Sequence, residues 1–184
     1  AELEAGEADP AFANVDVSTI IDRVVEAHEF QISEKKMSVK ADREKPLSFS
    51  TDARMVRLVL TNLLGNAIEF GHEGSHVDVS AEVIDTALKI VVKDDGKGIP
   101  KEDQETIFDR FRQLDSGTTK SHRGHGLGLS IVRSLVEMLG GELELDSDTD
   151  KGCMIVITLP EPDAIVQDSA QEGNMFIFDD AEQF

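Results

Sequence analysis

Two asparagines are the first side chains in this sequence whose types and spacing could do chemistry. Asn62 and Asn66 stand in the run NLLGNAIEF, residues 62–70, and at this spacing their amides lie one above the other on one helix face. Asparagine is a mediocre helix former, so the pair needs a reason. A local pair of hydrogen-bonded amides would suffice, and so would neutral oxygens that face a magnesium ion beside phosphates. The pair alone leaves both interpretations open.

A carboxylate and two glycines form a second group of candidate residues. In the run KDDGKGIP, residues 93–100, a predicted strand ends at Asp94, and Gly96 and Gly98 follow it. Glycines let the backbone turn sharply and approach a ligand closely. Hairpin turns use the same residues, so this pattern by itself indicates a binding site only weakly.

A basic segment stands out in a chain whose net charge is −19. Residues 108–125 are irregular and contain few acids, which is typical of a lid that closes over an anionic ligand. A solvated basic loop is the alternative interpretation. The cations of this segment are Arg110, Arg112, Lys120 and Arg123, with His122 and His125 beside them.

A glycine-rich run leads from this segment into a helix. The residues are Gly124-His-Gly-Leu-Gly-Leu129, and apolar periodicity predicts a helix from Ser130 to Leu139. The first turn of a helix presents unpaired N–H groups and the positive end of the helix dipole, which together suit an anion. An ordinary flexible entry loop would have a similar composition.

Periodicity predicts the elements that must position these residues. Apolar residues recur at helical spacing around the asparagines, and alternating runs indicate half-buried strands. The helices are predicted at residues 18–36 with an N-cap at Ser18, 53–70 with an N-cap at Thr51 or Asp52, 100–107 and 130–139. The strands are predicted at residues 12–17, 37–41, 47–50, 76–84, 87–93, 142–145 and 153–159, with a tight turn at Asp85-Thr86.

Size and composition narrow the class of protein. The 184 residues suffice for one domain with a full core, or for one domain with tails. The acidic balance argues against duplex nucleic acid or an anionic membrane as the main partner.

One cysteine, Cys153, excludes an internal disulfide and fits a reducing compartment. No apolar run approaches the length of a membrane span. From Pro160 onward the chain has no basic residue and is predicted to be a linker.

The order of the motifs resembles the catalytic ATP-binding domain of bacterial-type sensor histidine kinases, over residues 14–160. An asparagine helix, a D-x-G-x-G turn, a phenylalanine-rich lid, a G-x-G-L-G-L run and a final hairpin follow one another as in that family. Its superfamily of ATPases includes gyrase, the heat-shock chaperones and the mismatch-repair proteins. The resemblance implies the Bergerat fold, an α/β (α+β) two-layer sandwich whose mixed, mostly antiparallel sheet of about five strands carries three helices on one face.

The resemblance also implies roles for individual residues. Asn62 and Asn66 match the N box as catalytic residues, and Asn66 matches the magnesium ligand. Asp94 matches the carboxylate that accepts a hydrogen bond from the adenine amino group. The F box and the third glycine box are matched by Phe108, Phe111 and Gly152. The implied ATP-binding residues are Asn62, Asn66, Glu69, Phe70, Asp94, Gly96, Gly98, Ile99, Arg112, Lys120, Gly124, His125, Gly126, Leu127, Gly128 and Leu129.

Three positions depart from the family pattern. Glu69 stands where lysine is usual, and a carboxylate there would repel phosphate unless magnesium or a lid cation compensates. Arg112 or Lys120 could pair with Glu69, and Arg112 is the expected lid cation. Cys153 and Ile155 replace the usual hydroxyl residue and phenylalanine of the third glycine box, which we interpret as a packing variation.

The function implied by the resemblance is transfer of the γ-phosphoryl group of MgATP to a histidine on a separate dimerisation domain. Asn62 stands where hydrolysing relatives carry a glutamate that activates water, and an amide accepts no proton at neutral pH. His28 and Glu29 mimic an acceptor motif, but the residues after them lack its basic residue and proline. Two alternatives stay open. One is an ATP-sensing or scaffold module with little or no transfer, which Glu69 favours, and the other is an anti-sigma-type serine kinase.

Both flanks extend the resemblance. Residues 1–13 resemble the end of a dimerisation-domain linker, and residues 161–184 form an acidic tail whose run MFIFDD, residues 175–180, resembles the start of a receiver domain. A loose apolar patch is the alternative for that run. The implied partners are the chain's own dimerisation domain, which would make a homodimer, and a response regulator or receiver domain. No nucleic acid and no direct membrane contact are expected, and the implied location is the cytoplasm, for a parent that could be membrane-anchored.

Overall fold

The computed structural model describes residues 9–108 and 125–162, and it contains twelve helices and strands there. The strands are β1 (Ala13–Asp16), β2 (Ser38–Arg43), β3 (Ser48–Thr51), β4 (His76–Ile84), β5 (Ala87–Asp94), β6 (Glu142–Ser147) and β7 (Cys153–Pro160). The helices are α1 (Val17–Ala27), α2 (Glu29–Glu34), α3 (Ala53–Phe70), α4 (Lys101–Gln104) and α5 (His125–Met138). All seven predicted strands are therefore present, with boundaries that differ by a few residues.

Five of the strands form one mixed sheet in the order β2-β4-β5-β7-β6. Only the pairing of β2 with β4 is parallel, while β4 with β5, β5 with β7 and β7 with β6 are antiparallel. The remaining two strands, β1 and β3, pair antiparallel in a separate small sheet. The predicted mixed, mostly antiparallel sheet of five strands is confirmed.

The helices cover one face of the five-stranded sheet. Helix α3 lies between α1 and α5. Helix α1 contacts β2, α3 contacts β5, and α5 contacts β6. Burial alternates along the central strands because successive side chains point to opposite faces. The inward positions of β4 and β5 are Val77, Val79, Ala81, Leu88, Ile90 and Val92, and all are buried in a single core. This arrangement confirms the predicted two-layer sandwich.

The first predicted helix is wrong in both its start and its length. Asp16, not Ser18, is the N-cap of α1, and its carboxylate accepts a hydrogen bond from the Ser18 amide. Helix α1 ends at Ala27, and α2 begins after His28, whose backbone leaves the helical region at φ −104° and ψ 5°. The apolar stripe continues across this break, so periodicity alone predicts one helix where the chain forms two.

Helix α3 follows the predicted boundaries. Asp52 is its N-cap, and the carboxylate accepts a hydrogen bond from the Met55 amide at 3.1 Å. Gly71 ends the helix, as the sequence predicts. Eight residues of the apolar stripe between Met55 and Ile68 are buried. In the described part of the chain, no helix combines the length and apolar character that crossing a bilayer requires.

Candidate functional site

The asparagine face of α3 packs against the beginning of α5. The Asn62 side-chain Nδ2 donates a hydrogen bond to the Leu58 carbonyl one turn earlier, at 2.7 Å, which leaves the amide oxygen on the other side. A methyl group placed on Gly128 would lie 3.1 Å from that oxygen and 4.0 Å from Asn66 Nδ2. The glycine at position 128 therefore lets the backbone of α5 approach both asparagines.

An apolar cleft opens beside this contact, between α3, α5 and the end of β5. Six of the predicted ATP-binding residues line it: Asn66, Phe70, Asp94, Gly98, Ile99 and Leu129. The remaining wall consists of residues that the sequence analysis did not assign to a ligand: Leu63, Ala67, Val92, Pro100, Asp103, Ile107, Cys153 and Ile155. The cleft thus presents mainly apolar side chains together with two acidic side chains, Asp94 and Asp103, and the amide of Asn66, which suits a flat, partly polar ring.

Asp94 is the polar group at the sheet end of the cleft. One of its carboxylate oxygens accepts a hydrogen bond from the Gly96 amide at 2.9 Å. Burial raises the pKa of Asp94 above its ordinary value, and the neighbouring charge of Asp95 acts in the same direction. Cys153 is the cross-strand neighbour of Asp94, and burial raises the pKa of its thiol to about 12. The carboxyl group of Asp94 therefore lies beside an uncharged thiol, and Asp103 is a second acidic residue in the wall of the cleft.

Three glycines allow the loops at this end of the sheet to lie close together. Gly98 and Gly152 have φ values of +70° and +73°, in the left-handed region that favours glycine. A methyl group on Gly152 would overlap the main chain of Asp94. The Gly152 amide also donates to the Gly96 carbonyl at 3.1 Å. The third glycine box thus supports the strand end that carries the carboxylate.

A second hollow lies on the other side of Asn66, between α2 and α3. From α3 and α5 it is lined by Asn62, Asn66, Glu69 and Gly128, which the sequence analysis names as site residues. From α2 and its flanks it is lined by His28, which the sequence analysis names only as an acceptor mimic, and by Gln31, Glu34 and Lys35, which it does not name. Gln31, Glu34 and Lys35 carry no local motif, and they lie more than 25 positions before the α3 residues that line the hollow. Only the fold brings them to the site.

Lys35 places a positive charge at the C-terminal end of α3. Its Nζ donates hydrogen bonds to the carbonyls of Ile68 and Glu69, each at 2.7 Å, and to the Gly71 carbonyl at 3.2 Å. A cation at a helix C-terminus interacts favourably with the helix dipole. This charge lies next to Glu69, the position at which the family usually has a lysine.

His28 forms part of the wall of the second hollow. Its Nδ1 lies 2.7 Å from the Val24 carbonyl, and since a carbonyl only accepts, Nδ1 carries the proton. The other ring nitrogen, Nε2, faces Gly65 on α3, where an added methyl group would lie 3.7 Å away. The ring is therefore packed within this domain, between α1 and α3.

The predicted glycine-rich loop is partly helical. Helix α5 begins at His125, five residues earlier than the predicted start at Ser130, so Gly126 and Gly128 lie in its first turn. The prediction of a loop reflects the low helix propensity of glycine. The first four amides of a helix still have no partner within it, so this turn can present N–H groups to an anion.

Several predicted site residues lie outside the described residues. These are the cations Arg112 and Lys120, the F-box residue Phe111 and Gly124, together with the side chains of His125 and Leu127. The expected pairing of Glu69 with a lid cation falls outside them as well. Phe108 is described, and it packs against the core.

The donor groups at the site fit a magnesium ion held together with a phosphorylated ligand. Among residues 9–108 and 125–162, no group of three or more His, Cys, Asp or Glu side chains could hold a metal by itself. Magnesium is usually bound through one or two protein oxygens plus substrate phosphates and water. Asn66 lines both hollows, and its side chain supplies an amide oxygen of the kind that could serve in that way.

Comparison with known proteins gives one family and several relatives. Residues 51–163 match the family described as histidine kinase-, DNA gyrase B- and HSP90-like ATPase. The chain is 39% identical over 149 residues to the sensor histidine kinase WalK of Bacillus subtilis, which covers 78% of this chain and 23% of WalK. It is 33% identical to hybrid signal transduction histidine kinase D of Dictyostelium discoideum, over 86% of this chain and 11% of that protein. The chain therefore spans less than a quarter of the length of these relatives.

Solved structures share the same architecture. Full-length ShkA in complex with AMPPNP superimposes with a TM-score of 0.72 at 28% identity, covering 83% of this chain and 32% of that one. The mycobacterial sensor histidine kinase MprB gives a TM-score of 0.69 at 29% identity, covering 82% and 97% of the two chains. The similarity to MprB thus extends over nearly the whole of the compared chain.

Proposed function

The chain belongs to the family of histidine kinase-, DNA gyrase B- and HSP90-like ATPases, and from that membership we propose that it binds MgATP and transfers the γ-phosphoryl group to a histidine on a separate dimerisation domain. Its sheet and helices form the Bergerat-type fold of histidine kinase catalytic domains. Since the relatives are several times longer than this chain, the transfer partner is proposed to lie in another part of the whole protein.

One observation carries the proposal. Asn66 from α3, Asp94 from the end of β5 and Leu129 from α5 line the same cleft, although their motifs are far apart in the sequence. If each motif only stabilised the fold, these three residues would not need to line the same cleft. Their convergence supports a single ligand that needs an amide oxygen, a carboxylate and apolar walls.

Each residue then has a distinct task. The Asp94 carboxylate would accept the hydrogen bond of the adenine amino group, while Ile99 and Leu129 cover the ring. Asn66 would hold magnesium, which supplies charge neutralisation to the phosphates when bound. The amides of the first turn of α5, at Gly126 and Gly128, would orient the phosphates. In phosphoryl transfer the protein acts mainly by such positioning and charge stabilisation.

Asn62 supports transfer rather than hydrolysis. Its Nδ2 is held by the Leu58 carbonyl of its own helix, and its amide oxygen does not take up a proton at neutral pH. The position therefore lacks a general base for attacking water. We accordingly propose that the phosphoryl group is kept for the acceptor histidine, and that a response regulator or receiver domain receives it next.

An ATP-sensing module with little transfer is the second candidate, and Glu69 favours it. This exposed carboxylate lies on the asparagine face and lines the hollow next to Asn66. A carboxylate repels the phosphates, whereas the usual lysine attracts them. Lys35 lies beside it, but the three main-chain carbonyls occupy its ammonium group.

Binding and transfer are tested in two steps. The chain is first titrated calorimetrically with ATP in the presence and absence of magnesium, and the dimerisation domain of the whole protein is then added to look for acid-labile phosphohistidine. Asn66→Ala is expected to remove the dependence on magnesium. Asn14→Ala, at an exposed position on β1, is the matched control and should keep it.

The outcomes separate the two candidates. Binding followed by phosphohistidine supports the kinase, and tight binding without transfer supports the sensing module. If transfer is absent, Glu69→Lys tests whether the carboxylate is the reason. Failure to bind ATP under any condition would contradict both functions.

A further inference from the structure

Glu69 continues the asparagine face of α3 along the wall of the second hollow. It follows Asn62 and Asn66 at helical spacing, so the three side chains lie on one side of the helix. All three line the hollow between α2 and α3, together with Gly128 from the first turn of α5. The exposed carboxylate of Glu69 therefore lies on the surface to which the proposed function assigns the magnesium ion and the phosphates.

Helix stability does not account for a carboxylate at this position. Glu69 lies in the last turn of α3, where the negative end of the helix dipole disfavours an anion. Lys35 offsets this effect, because its ammonium group donates hydrogen bonds to three main-chain carbonyls at the end of the helix, at 2.7, 2.7 and 3.2 Å. The fold thus accommodates an acidic side chain in the wall of the hollow, although the helix does not benefit from it.

The charge of the hollow distinguishes two forms of the nucleotide. Glu34, near the end of α2, contributes a second carboxylate to the same wall. Metal-free ATP is a polyanion, and a bound magnesium ion neutralises part of its charge. Two carboxylates beside the phosphates therefore repel metal-free ATP more strongly than MgATP.

The carboxylate of Glu69 also becomes an attractive contact once a magnesium ion is held by Asn66. Bound magnesium usually keeps several waters beside its protein and phosphate ligands. A carboxylate accepts hydrogen bonds from such waters and attracts the charge of the ion. Glu69 lies three residues after Asn66 on the same helix face, so it is the acid of the hollow next to the proposed ligand. Its attraction for the ion depends on the amide that holds the ion there.

We propose that Glu69 selects metal-complexed nucleotide, because it repels metal-free ATP and attracts the hydrated magnesium ion on Asn66. This role of Glu69 rests on the proposed function, in which the phosphates and magnesium enter the second hollow. The lysine that is usual at this position would attract phosphates with or without the metal. Glu69 is thereby a specificity-determining residue of the nucleotide site.

The variant Glu69→Gln tests this selectivity while it keeps the size of the side chain. ATP is titrated calorimetrically into the parent and the variant, once with excess magnesium and once with EDTA. Loss of one charge near the surface should strengthen binding of metal-free ATP by about tenfold and weaken binding of MgATP by about threefold. The two changes have opposite signs, whereas a carboxylate that only repels phosphates would weaken both forms, and its removal would strengthen both.

Binding of the metal itself provides a second measurement. Mn²⁺ takes the same oxygen ligands as magnesium, and the electron paramagnetic resonance signal of free Mn²⁺ reports how much of it is bound. In the presence of the chain and ATP, Glu69→Gln should weaken Mn²⁺ binding by about threefold, because the charge of the surrounding ligands tunes the affinity for the ion.

Two variants serve as matched controls. Glu34→Gln removes the other carboxylate of the hollow, and it should weaken neither MgATP nor Mn²⁺ binding. Glu82→Gln removes the same charge at an exposed position on β4, and it should leave all three affinities unchanged. Circular dichroism checks that each variant is folded.

Three results would overturn the proposal. The first is an unchanged ratio of the MgATP and metal-free ATP affinities in Glu69→Gln, and the second is tighter binding of both forms by this variant. The third is an equal loss of Mn²⁺ binding in Glu34→Gln and Glu69→Gln, which would mean that the ion responds only to the overall charge of the hollow. In all three cases the parent still binds MgATP, whereas failure of the proposed function would appear as a parent that does not bind it.

Discussion

We expect Asp94 to have opposite effects on ligand binding and on folding. Its burial raises the pKa, so the folded chain binds a proton at this carboxyl more readily than the unfolded chain does. The ionised form is therefore unfavourable for folding. This cost appears as the pH rises from the ordinary pKa of 3.8 toward the raised value.

The variant Asp94→Asn should separate the two effects. ATP affinity is expected to fall by about 10- to 100-fold, because a hydrogen bond to a charged group contributes about 1.5–3 kcal/mol. The free energy of unfolding at neutral pH is expected to rise, because the buried charge is removed. Calorimetric titration and urea denaturation measure the two quantities. Asp42→Asn, at an exposed position on β2, should change neither, and unaltered ATP affinity of Asp94→Asn would show that adenine binds elsewhere.

Asp16 gives the opposite pH dependence. Hydrogen bonds from the Ser18 hydroxyl and the Leu47 amide, followed by those from Thr19 and the Ser18 amide, lower its pKa from 3.8 to about 2. Its contribution to stability is therefore present above pH 3.8 and is lost as the pH falls toward 2. The variant Asp16→Asn should be less stable than the parent at neutral pH, and the difference should shrink as the pH falls from 3.8 toward 2 and vanish below it.

Unfolding free energies of both chains, measured by urea denaturation between neutral and acid pH, check this prediction. A difference that stays constant over the whole range would mean that the ionised carboxylate is not the stabilising group. Asp9→Asn, at an exposed position just before β1, is a matched control that should not alter the pH profile.

Site residues that stand close together in the sequence could be identified from it. Residues that reach the site from distant parts of the chain could not. The asparagine pair and the carboxylate with its glycines are local patterns, and the resemblance implies their roles. Lys35 has no such pattern around it, and the sequence identifies Cys153 only as a packing variation next to the third glycine box. Their position at the site depends on contacts with α3 and β5, which lie more than 30 residues away in the sequence.

At the scale of elements, the turn before β7 supports the end of β5. Gly152 has φ +73°, and a side chain there would overlap the main chain of Asp94. Gly74 has a similar φ of +79° but has open space around it. A substitution would therefore strain the backbone at both glycines. Only at Gly152 would the new side chain also overlap another part of the main chain.

The pair Gly152→Ala and Gly74→Ala measures that difference. Both variants should lose about 1–2 kcal/mol from the left-handed backbone, and Gly152→Ala should lose more because two strand ends must also move apart. It should in addition weaken ATP binding, since Asp94 moves with the strand. Urea denaturation and calorimetric titration are the measurements, and equal losses in the two variants would contradict the role given to the close contact.

Helix boundaries show where periodicity stops being informative. Val24, Val25, His28 and Ile32 continue one apolar stripe across the break between α1 and α2, so the sequence predicts a single helix. We attribute the break instead to His28. Its ring Nδ1 forms a hydrogen bond with the Val24 carbonyl, and its Nε2 faces Gly65 of α3. A tertiary contact thus overrides the local pattern.

At the scale of the whole molecule, the net charge of −19 opposes compaction. Added salt screens this repulsion, and the Debye length falls from about 30 Å at 0.01 M to about 10 Å at 0.1 M. The midpoint of thermal unfolding should therefore rise between low and moderate sodium chloride. Scanning calorimetry measures it, with glycerol at equal osmolality as the uncharged control. A midpoint that does not change with salt would mean that the acids are already compensated locally.

The two-layer fold could be predicted as a class, while the sheet order could not. Alternating runs indicate each strand, and the resemblance supplies the architecture. Periodicity contains no information about which strands are neighbours. The parallel pairing of β2 with β4, on either side of β3 and α3 in the sequence, follows from the folding of α3 onto the sheet.

The position of Asn66 between two hollows matters for anyone designing inhibitors. A compound that starts in the apolar cleft and extends past this amide would reach Gln31 and Glu34 on α2. These two side chains belong to none of the nucleotide motifs that the sequence analysis identifies. A compound of this kind would therefore gain polar contacts that a ligand confined to the apolar cleft does not make.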